Sequence, residues 1–369
     1  MAGSLSAGTA QGGEAKVGPR FERYLRGLRP GADSATGGPV SVRGWRALAP
    51  RPRGHGDELS TESVVCDICG PGDVEAVGVG EDFEYWTSPD SFLVVRCSTC
   101  GLVFLDPRPT EAELERIYPT DYHAFDFSEE RFGLVHDVRS RLEARRVLRS
   151  ARDLPADALI VDVGCGDGFH LDLLRRFGEP GWTLQGVEPD ARAADVATGR
   201  GIHVHQTTLG DAEIEPGSVD LVLLIQTIEH VPDPSDLLRE IRSVLKPTGR
   251  LLVVTDNVGS PDFRIFRSRH WGGYHFPRHW HLYDRSTLTA TARNAGFEVE
   301  NMSTILSPVN WTYSLRNLLV DLDAPERVVR PLSLNGAAAL AVGTAIDAPL
   351  ALFGRGALLR GEFRPSAPR

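Results

Sequence analysis

The stretch Val161-Asp-Val-Gly-Cys-Gly-Asp-Gly168 governs the reading of the whole chain. It closes an apolar run that begins at Ala158, and it sets Asp162 two residues ahead of three alternating glycines, Gly164, Gly166 and Gly168. A strand that stops on glycines can turn sharply and bring its backbone close to a ligand. The helix expected from about Phe169 would aim its amide N–H groups and the positive end of its dipole at the same point. A dinucleotide turn would need a further glycine or alanine at position 169, and this chain has Phe169.

Outward from this loop, strand and helix signals alternate over residues 158–306. Trp182–Glu188, Ile202–His205, Val219–Ile225, Gly249–Thr255 and Gly296–Met302 read as strands, and Asp233–Leu245 as a helix between two of them. Such alternation predicts a parallel sheet covered on both faces, with ligands in the crevice beyond the strand ends. Glu188 closes the second strand, where a carboxylate can accept both hydroxyls of a ribose. Asp211 and Ala212, between the third and fourth strands, stand where an adenine would lie. A glycine loop alone is weak evidence. The three elements in order, Asp162 to Gly168, Glu188 and Asp211, point to S-adenosylmethionine, whose methionine end carries an amine and a carboxylate where a dinucleotide has a pyrophosphate.

These motifs, with Gly186-Val-Glu-Pro-Asp190 and Asp220-Leu-Val-Leu-Leu-Ile-Gln-Thr-Ile-Glu-His-Val-Pro-Asp233, resemble those of class I S-adenosylmethionine-dependent methyltransferases over about residues 155–305. The resemblance implies an α/β, Rossmann-like seven-stranded sheet with one antiparallel strand. It also implies that Asp162, Gly164, Gly166 and Gly168 hold the methionine end, Glu188 the ribose, and Asp211 and Ala212 the adenine. Gln226 and Ile228 would line the pocket, Cys165 would be a small loop residue without a catalytic role, and His230 would belong to the cofactor wall.

Four of the five cysteines fall in two pairs, Cys66/Cys69 and Cys97/Cys100. Each Cys-x-x-Cys can grip one edge of a metal, and two together make a tetrahedral four-sulfur site that favours structural zinc. Gly70 and Gly101 follow the pairs, as a tight knuckle turn requires. A redox dithiol or free buried cysteines are the competing readings, although redox pairs usually occur singly. This front end, followed by Cys100-Gly-Leu-Val-Phe-Leu-Asp-Pro-Arg-Pro-Thr110, Tyr118 and Tyr122, resembles bacterial sugar and natural-product methyltransferases, including deoxysugar C-methyltransferases. The resemblance implies a sugar, glycolipid or secondary metabolite as acceptor, methylated on oxygen or carbon.

Trp271 to Tyr283 concentrates three histidines, two tyrosines and an arginine after the fifth strand. Tyr274, His275, His279 and His281 are the catalytic candidates, able to supply a base near neutral pH, an oxyanion partner or a stacking surface. His279 falls, by spacing, where the resembled deoxysugar enzymes carry a histidine, with Arg278 in place of their acid. Asp256 and Asn257 end the fifth strand and stand near the same crevice. A packed lid is the competing reading, and a second metal held by His275, His279 and His281 is a third.

The formal charge is −10, from 40 Lys and Arg against 50 Asp and Glu, which argues against nucleic acid as a partner. No apolar core of signal-peptide length is found in Met1–Pro19, so the cytoplasm is the expected location. Gly336–Phe353 is apolar, yet it is short for a membrane span and broken by Asp347 and Pro349. Core packing, a homodimer contact, or contact with a membrane surface or lipid-linked acceptor all stay open for it. The expected organisation is a disordered tail over 1–60, a zinc-binding module over 61–109, and a helical connector or cap over 110–150. The cofactor-binding core covers 151–306, an apolar helical insertion 307–356, and a closing edge strand and tail 357–369. Alternative functions are a non-catalytic cofactor-binding or zinc-mediated interaction protein, or a methyltransferase acting on RNA or protein.

Overall fold

The computed structural model describes residues 16–17, 56–120, 122 and 134–367. The tail expected over 1–60 and part of the connector expected over 110–150 lie outside the described residues.

Seven strands form the central sheet: β1 Leu159–Val163, β2 Thr183–Val187, β3 His203–His205, β4 Val219–Ile225, β5 Leu245–Asp256, β6 Phe297–Ile305 and β7 Leu358–Pro365. Their spatial order is β6-β7-β5-β4-β1-β2-β3. Strands β1 to β5 pair in parallel, and β7 runs antiparallel between β5 and β6. The central strand β4 is buried along nearly its full length, consistent with the run Leu221–Ile225 of Leu, Val and Ile covered on both faces. Its helices are α1 Leu134–Ser150, α2 Phe169–Phe177, α3 Ala191–Gly199, α4 Pro234–Val244 and α5 Arg285–Asn294. Helix α4 starts where Asp233 accepts the Asp236 amide and Pro234 presets the first turn. Helix α5 starts with a capping box between Asp284 and Thr287. The chain leaves β1 in one direction, through β2 to β3, and returns to lay β4 and β5 on the other side. The switch point therefore lies between β1 and β4, and the loops after those two strands face one crevice.

Helices α6 Pro308–Asp321 and α7 Ala337–Leu352 lie between β6 and β7. In α7 the buried residues are Gly343 and Asp347. A methyl group on Gly343 would meet the Pro308 carbonyl at 2.7 Å, so glycine is what lets the helix seat there. Val342, Ile346, Leu352 and Phe353 are exposed, which sets aside core packing for that face. No helix among the described residues is long and apolar enough to cross a membrane.

The N-terminal sheet is built from Val74–Glu81, Ser91–Cys97 and Val103–Leu105, with Lys16–Val17 parallel at one edge. At its other edge is a strand from far along the chain, His281–Leu282, pairing with Val103 and Phe104. One buried cluster joins Phe92, Val94, Val103 and Leu105 of this sheet to Phe263, Trp271, Tyr274, Phe276 and Trp280. The four-cysteine unit and the segment after β5 thus share a core.

Candidate active site

At the end of β1, Gly164, Gly166 and Gly168 all have positive φ, at 70°, 53° and 75°. A side chain at Gly164 would strike Thr227 at 2.5 Å, so the loop lies directly against the turn that follows β4. Asp162 is 1% exposed, and its Oδ2 has no hydrogen-bond partner. Burial, then Glu188 and Asp167, push its carboxyl well above the usual range. An acid held this way calls for a cationic or donor group at the loop, which the amine of a methionine moiety would provide. Glu188 accepts the Gly166 and Asp190 amides, each at 2.9 Å, and so braces the loop against the end of β2. Asp211 is exposed and accepts from the Thr208 hydroxyl at 3.0 Å. Ala212 is half-buried, and Ile228 is fully buried in the core. Cys165 is buried against Gly186, a packing role in keeping with a small loop residue.

After β4 the backbone turns through Gln226 at φ 53°, a conformation that costs a non-glycine residue energy and is held by its neighbours. Its amide donates to the Val254 carbonyl, while its Oε1 is buried without a partner. Three residues on, Glu229 is fully buried, and its carbonyl accepts the amides of Trp280 at 2.7 Å and His281 at 3.2 Å. Those two bonds lay the Trp271–Tyr283 segment along the β4 turn.

The result is a group of facing side chains. Glu229, His230 and His279 bring ligand-type atoms within 4.8 Å of one another. The His230 and His279 rings lie 4.5 Å apart, and His275 and His279 5.0 Å apart. The Nδ1 of His279 lies 2.8 Å from the Gly273 carbonyl, which can only accept, so this nitrogen carries the proton and Nε2 holds the lone pair. Burial, with His230 and His275 beside it, keeps His279 neutral by depressing its pKa well below the ordinary value. Asp256 lies 3.4 Å from the same Nδ1 and accepts from Asn310 at 2.5 Å; burial raises its carboxyl to about 7. His275 pairs through Nδ1 with Glu84 at 2.8 Å. Tyr118, Tyr122 and Tyr85 pack edge-on or tilted around these rings, with the Tyr118 hydroxyl 2.8 Å from His230 Nδ1.

Of the four catalytic candidates, His275 and His279 come together here, and His281 and Tyr274 are placed elsewhere. The strand pairing of His281 fixes its ring at Asp67 in the first cysteine knuckle, with Nε2 at 3.2 Å from Oδ2. That removes it from the three-histidine metal set. Tyr274 is packed on Phe276 and donates its hydroxyl to the Arg267 carbonyl. Arg278 does not serve an oxyanion: its guanidinium makes a fully buried pair with Asp82, at 3.0 and 3.3 Å. Asn257 also turns away, donating to the Gly356 carbonyl. The sequence reading gave Glu229 no role, although an acid and a histidine adjoining at the end of the most apolar strand were a visible signal.

The sulfur atoms of Cys66, Cys69, Cys97 and Cys100 converge within 4.8 Å. The Gly70 and Gly101 amides close each knuckle on the Cys66 and Cys97 carbonyls, and both glycines have positive φ. Four thiols so placed fit a closed zinc site.

A family model described as a methyltransferase domain matches residues 134–301. The ubiquinone biosynthesis O-methyltransferase of Xanthomonas axonopodis pv. citri is 31% identical over 167 residues, covering 42% of this chain and 70% of that protein. The chain belongs to the S-adenosylmethionine-dependent methyltransferases. The protein of the same name from Cupriavidus pinatubonensis is 28% identical over 172 residues, 42% of this methyltransferase and 67% of its relative. Among solved structures, a methyltransferase of Thermotoga maritima described as a possible histamine N-methyltransferase overlaps it at a TM-score of 0.43. The two are 22% identical, over 64% of this chain and 94% of that one.

Proposed function

We propose that this methyltransferase moves the methyl group of S-adenosylmethionine to a hydroxyl oxygen of a small acceptor held between the β4 turn and the Trp271–Tyr283 segment. The observation that carries the reading is the meeting, at one switch point, of an acid-glycine loop with buried Glu229, half-buried His230 and buried His279. Asp162 and the loop from Gly164 to Gly168, with Cys165 behind it, hold the methionine end, and Glu188 takes the ribose. Asp211 and Ala212 lie at the adenine, and Gln226 and Ile228 form the wall. The bound cofactor supplies an electrophilic methyl on a sulfonium, and the chain's own task is to align an oxygen with it and exclude water. The oxygen preference is supported by the O-methyltransferase names of the relatives. Tyr85, Tyr118 and Tyr122 favour an acceptor with a flat or sugar-like face. The four cysteines hold zinc as a structural ion.

Calorimetric titration with S-adenosylhomocysteine tests the cofactor site, with Asp162→Ala as the comparison. One mole bound per chain, lost in the variant, is the expected result. Equal binding by both proteins would discard the role given to Asp162. Methyl transfer to a panel of phenols and hydroxylated sugars then tests the acceptor class.

A further inference from the structure

We infer that Asp256, held by Asn310 of the insertion and Gln226 of the β4 turn, is the positioning residue behind His279, and that His279 takes the proton from the acceptor. This rests on the reading of a hydroxyl acceptor beside the Trp271–Tyr283 segment, while the contacts around Asp256 stand on the fold alone.

Asp256 is the last residue of β5 and is 3% exposed. Its Oδ1 accepts the side-chain amide of Asn310 at 2.5 Å. Its Oδ2 accepts the side-chain amide of Gln226 at 3.4 Å and lies 3.4 Å from Nδ1 of His279. Asn310 is fixed in turn. Its own oxygen receives the Ser307 hydroxyl at 3.2 Å, so its nitrogen is the atom that faces Asp256. Ser307 donates its backbone amide to Asp347 of α7 at 2.9 Å. A chain of buried hydrogen bonds therefore runs from the insertion to the Asp256 carboxylate. Gln226, in its left-handed backbone conformation, anchors the β4 turn on the same group.

Proton transfer to His279 needs this carboxylate. The Nδ1–H of His279 points at the Gly273 carbonyl at 2.8 Å with Asp256 as a second acceptor, and Nε2 carries the lone pair. When Nε2 takes a proton the ring becomes a buried cation, and His230, His275 and Arg278 all oppose that charge. The Gly273 carbonyl is neutral. Burial pushes the Glu229 carboxyl well above the ordinary range, so that acid stays protonated. Asp256 can offset the charge if it is ionised. Burial lifts its carboxyl to about 7, Asp262 adds to the lift, and the amides of Asn310 and Gln226 draw it back. The two amides thus favour the form that can balance an imidazolium. The O–CH3 bond forms as the S–CH3 bond breaks, S-adenosylhomocysteine leaves neutral, and His279 afterwards gives the proton to water.

The test uses the full chain with S-adenosylhomocysteine bound and its histidines labelled with 15N, followed by nuclear magnetic resonance as pH is varied. The ring nitrogens of His279, assigned by their loss in His279→Gln, should shift in a step near pH 7 as Asp256 ionises. Asp256→Asn, equal in size, should abolish the step, and Asn310→Ala should move it upward by about 1–2 pH. The absence of a step, its survival in Asp256→Asn, or an unmoved step in Asn310→Ala would overturn the inference. Turnover gives a second readout with any phenol or hydroxylated sugar that is methylated. In Asn310→Ala the acid limb of kcat should move up by the same interval, with KM for S-adenosylmethionine within about threefold. A uniform loss of rate at every pH would mark Asn310 as structural only and sink the proposal. If the His279 step behaves as stated while no hydroxyl compound is methylated, the acceptor reading falls and the positioning of His279 by Asp256 stands.

Discussion

Asp262 shows what a single buried group does to the whole chain. It is fully buried in the short helix Pro261–Phe266, accepts the Trp271 indole N–H at 2.6 Å, and leaves its second oxygen without a partner. Burial raises its pKa to about 6, and the bonds from Ser260 and Trp271 pull it only partly back. A carboxyl whose folded pKa exceeds its unfolded value binds its proton more tightly in the fold. Its contribution to stability is complete below pH about 4 and is lost as pH rises through about 6, a change of about 3 kcal/mol. Asp262→Asn keeps an acceptor for Trp271 and removes the titration. Urea unfolding at pH 4.5 and 7.5 should therefore show the variant gaining on the unaltered protein at the higher pH. An equal difference at both values would discard the assignment. At this scale the turn after β1 was legible, because the positive φ of Gly164, Gly166 and Gly168 is a local backbone property. The roles of Tyr274, Arg278 and His281 were not, because their partners Arg267, Asp82 and Asp67 are chosen by tertiary packing.

At the scale of elements, the central strands β1 and β4 follow the apolar runs closely, since a buried parallel sheet favours Val, Ile and Leu. Helix α7 followed a different logic. Asp347 reads in the sequence as an interruption of an apolar stretch, yet it organises the insertion. Its carboxylate accepts the Ser307 amide at 2.9 Å, the Ala357 amide at 3.1 Å and the Trp311 indole N–H at 3.1 Å. It thereby ties the end of β6, the body of α6 and the start of β7 to one point. The Ser307 partner stands 40 residues away, a separation that no local pattern reveals. Asp347→Ala would strand three donors in a dry site and should cost at least about 3 kcal/mol. A clear fall in melting temperature, with faster hydrogen exchange at the Ser307 and Ala357 amides, is expected. A melting temperature unchanged within a degree would show that the insertion is held by other means.

The whole molecule is joined by the pair Asp82–Arg278, buried completely on both sides. Asp82 comes from the N-terminal sheet region and Arg278 from the segment that lies along the β4 turn. Arg278→Met should destabilise the chain by about 3–5 kcal/mol, because it leaves Asp82 charged and enclosed. A loss below about 1 kcal/mol in chemical unfolding would contradict this. The sequence indicated two units in tandem but not how they are joined, because ion pairs and strand pairings between distant segments leave no periodic trace.

The short strand His281–Leu282, borrowed by the N-terminal sheet, makes the cysteine unit a poor candidate for recombination. A chimera that moved residues 56–110 onto another methyltransferase would arrive with Val103–Leu105 as an open edge, unless the host supplied a matching strand. The reverse exchange, a different segment placed after β5, would have to preserve that strand or uncover the same edge. Inheritance of the two parts is therefore expected to be joint, with change in Trp271–Tyr283 arising by substitution and not by shuffling of its partner.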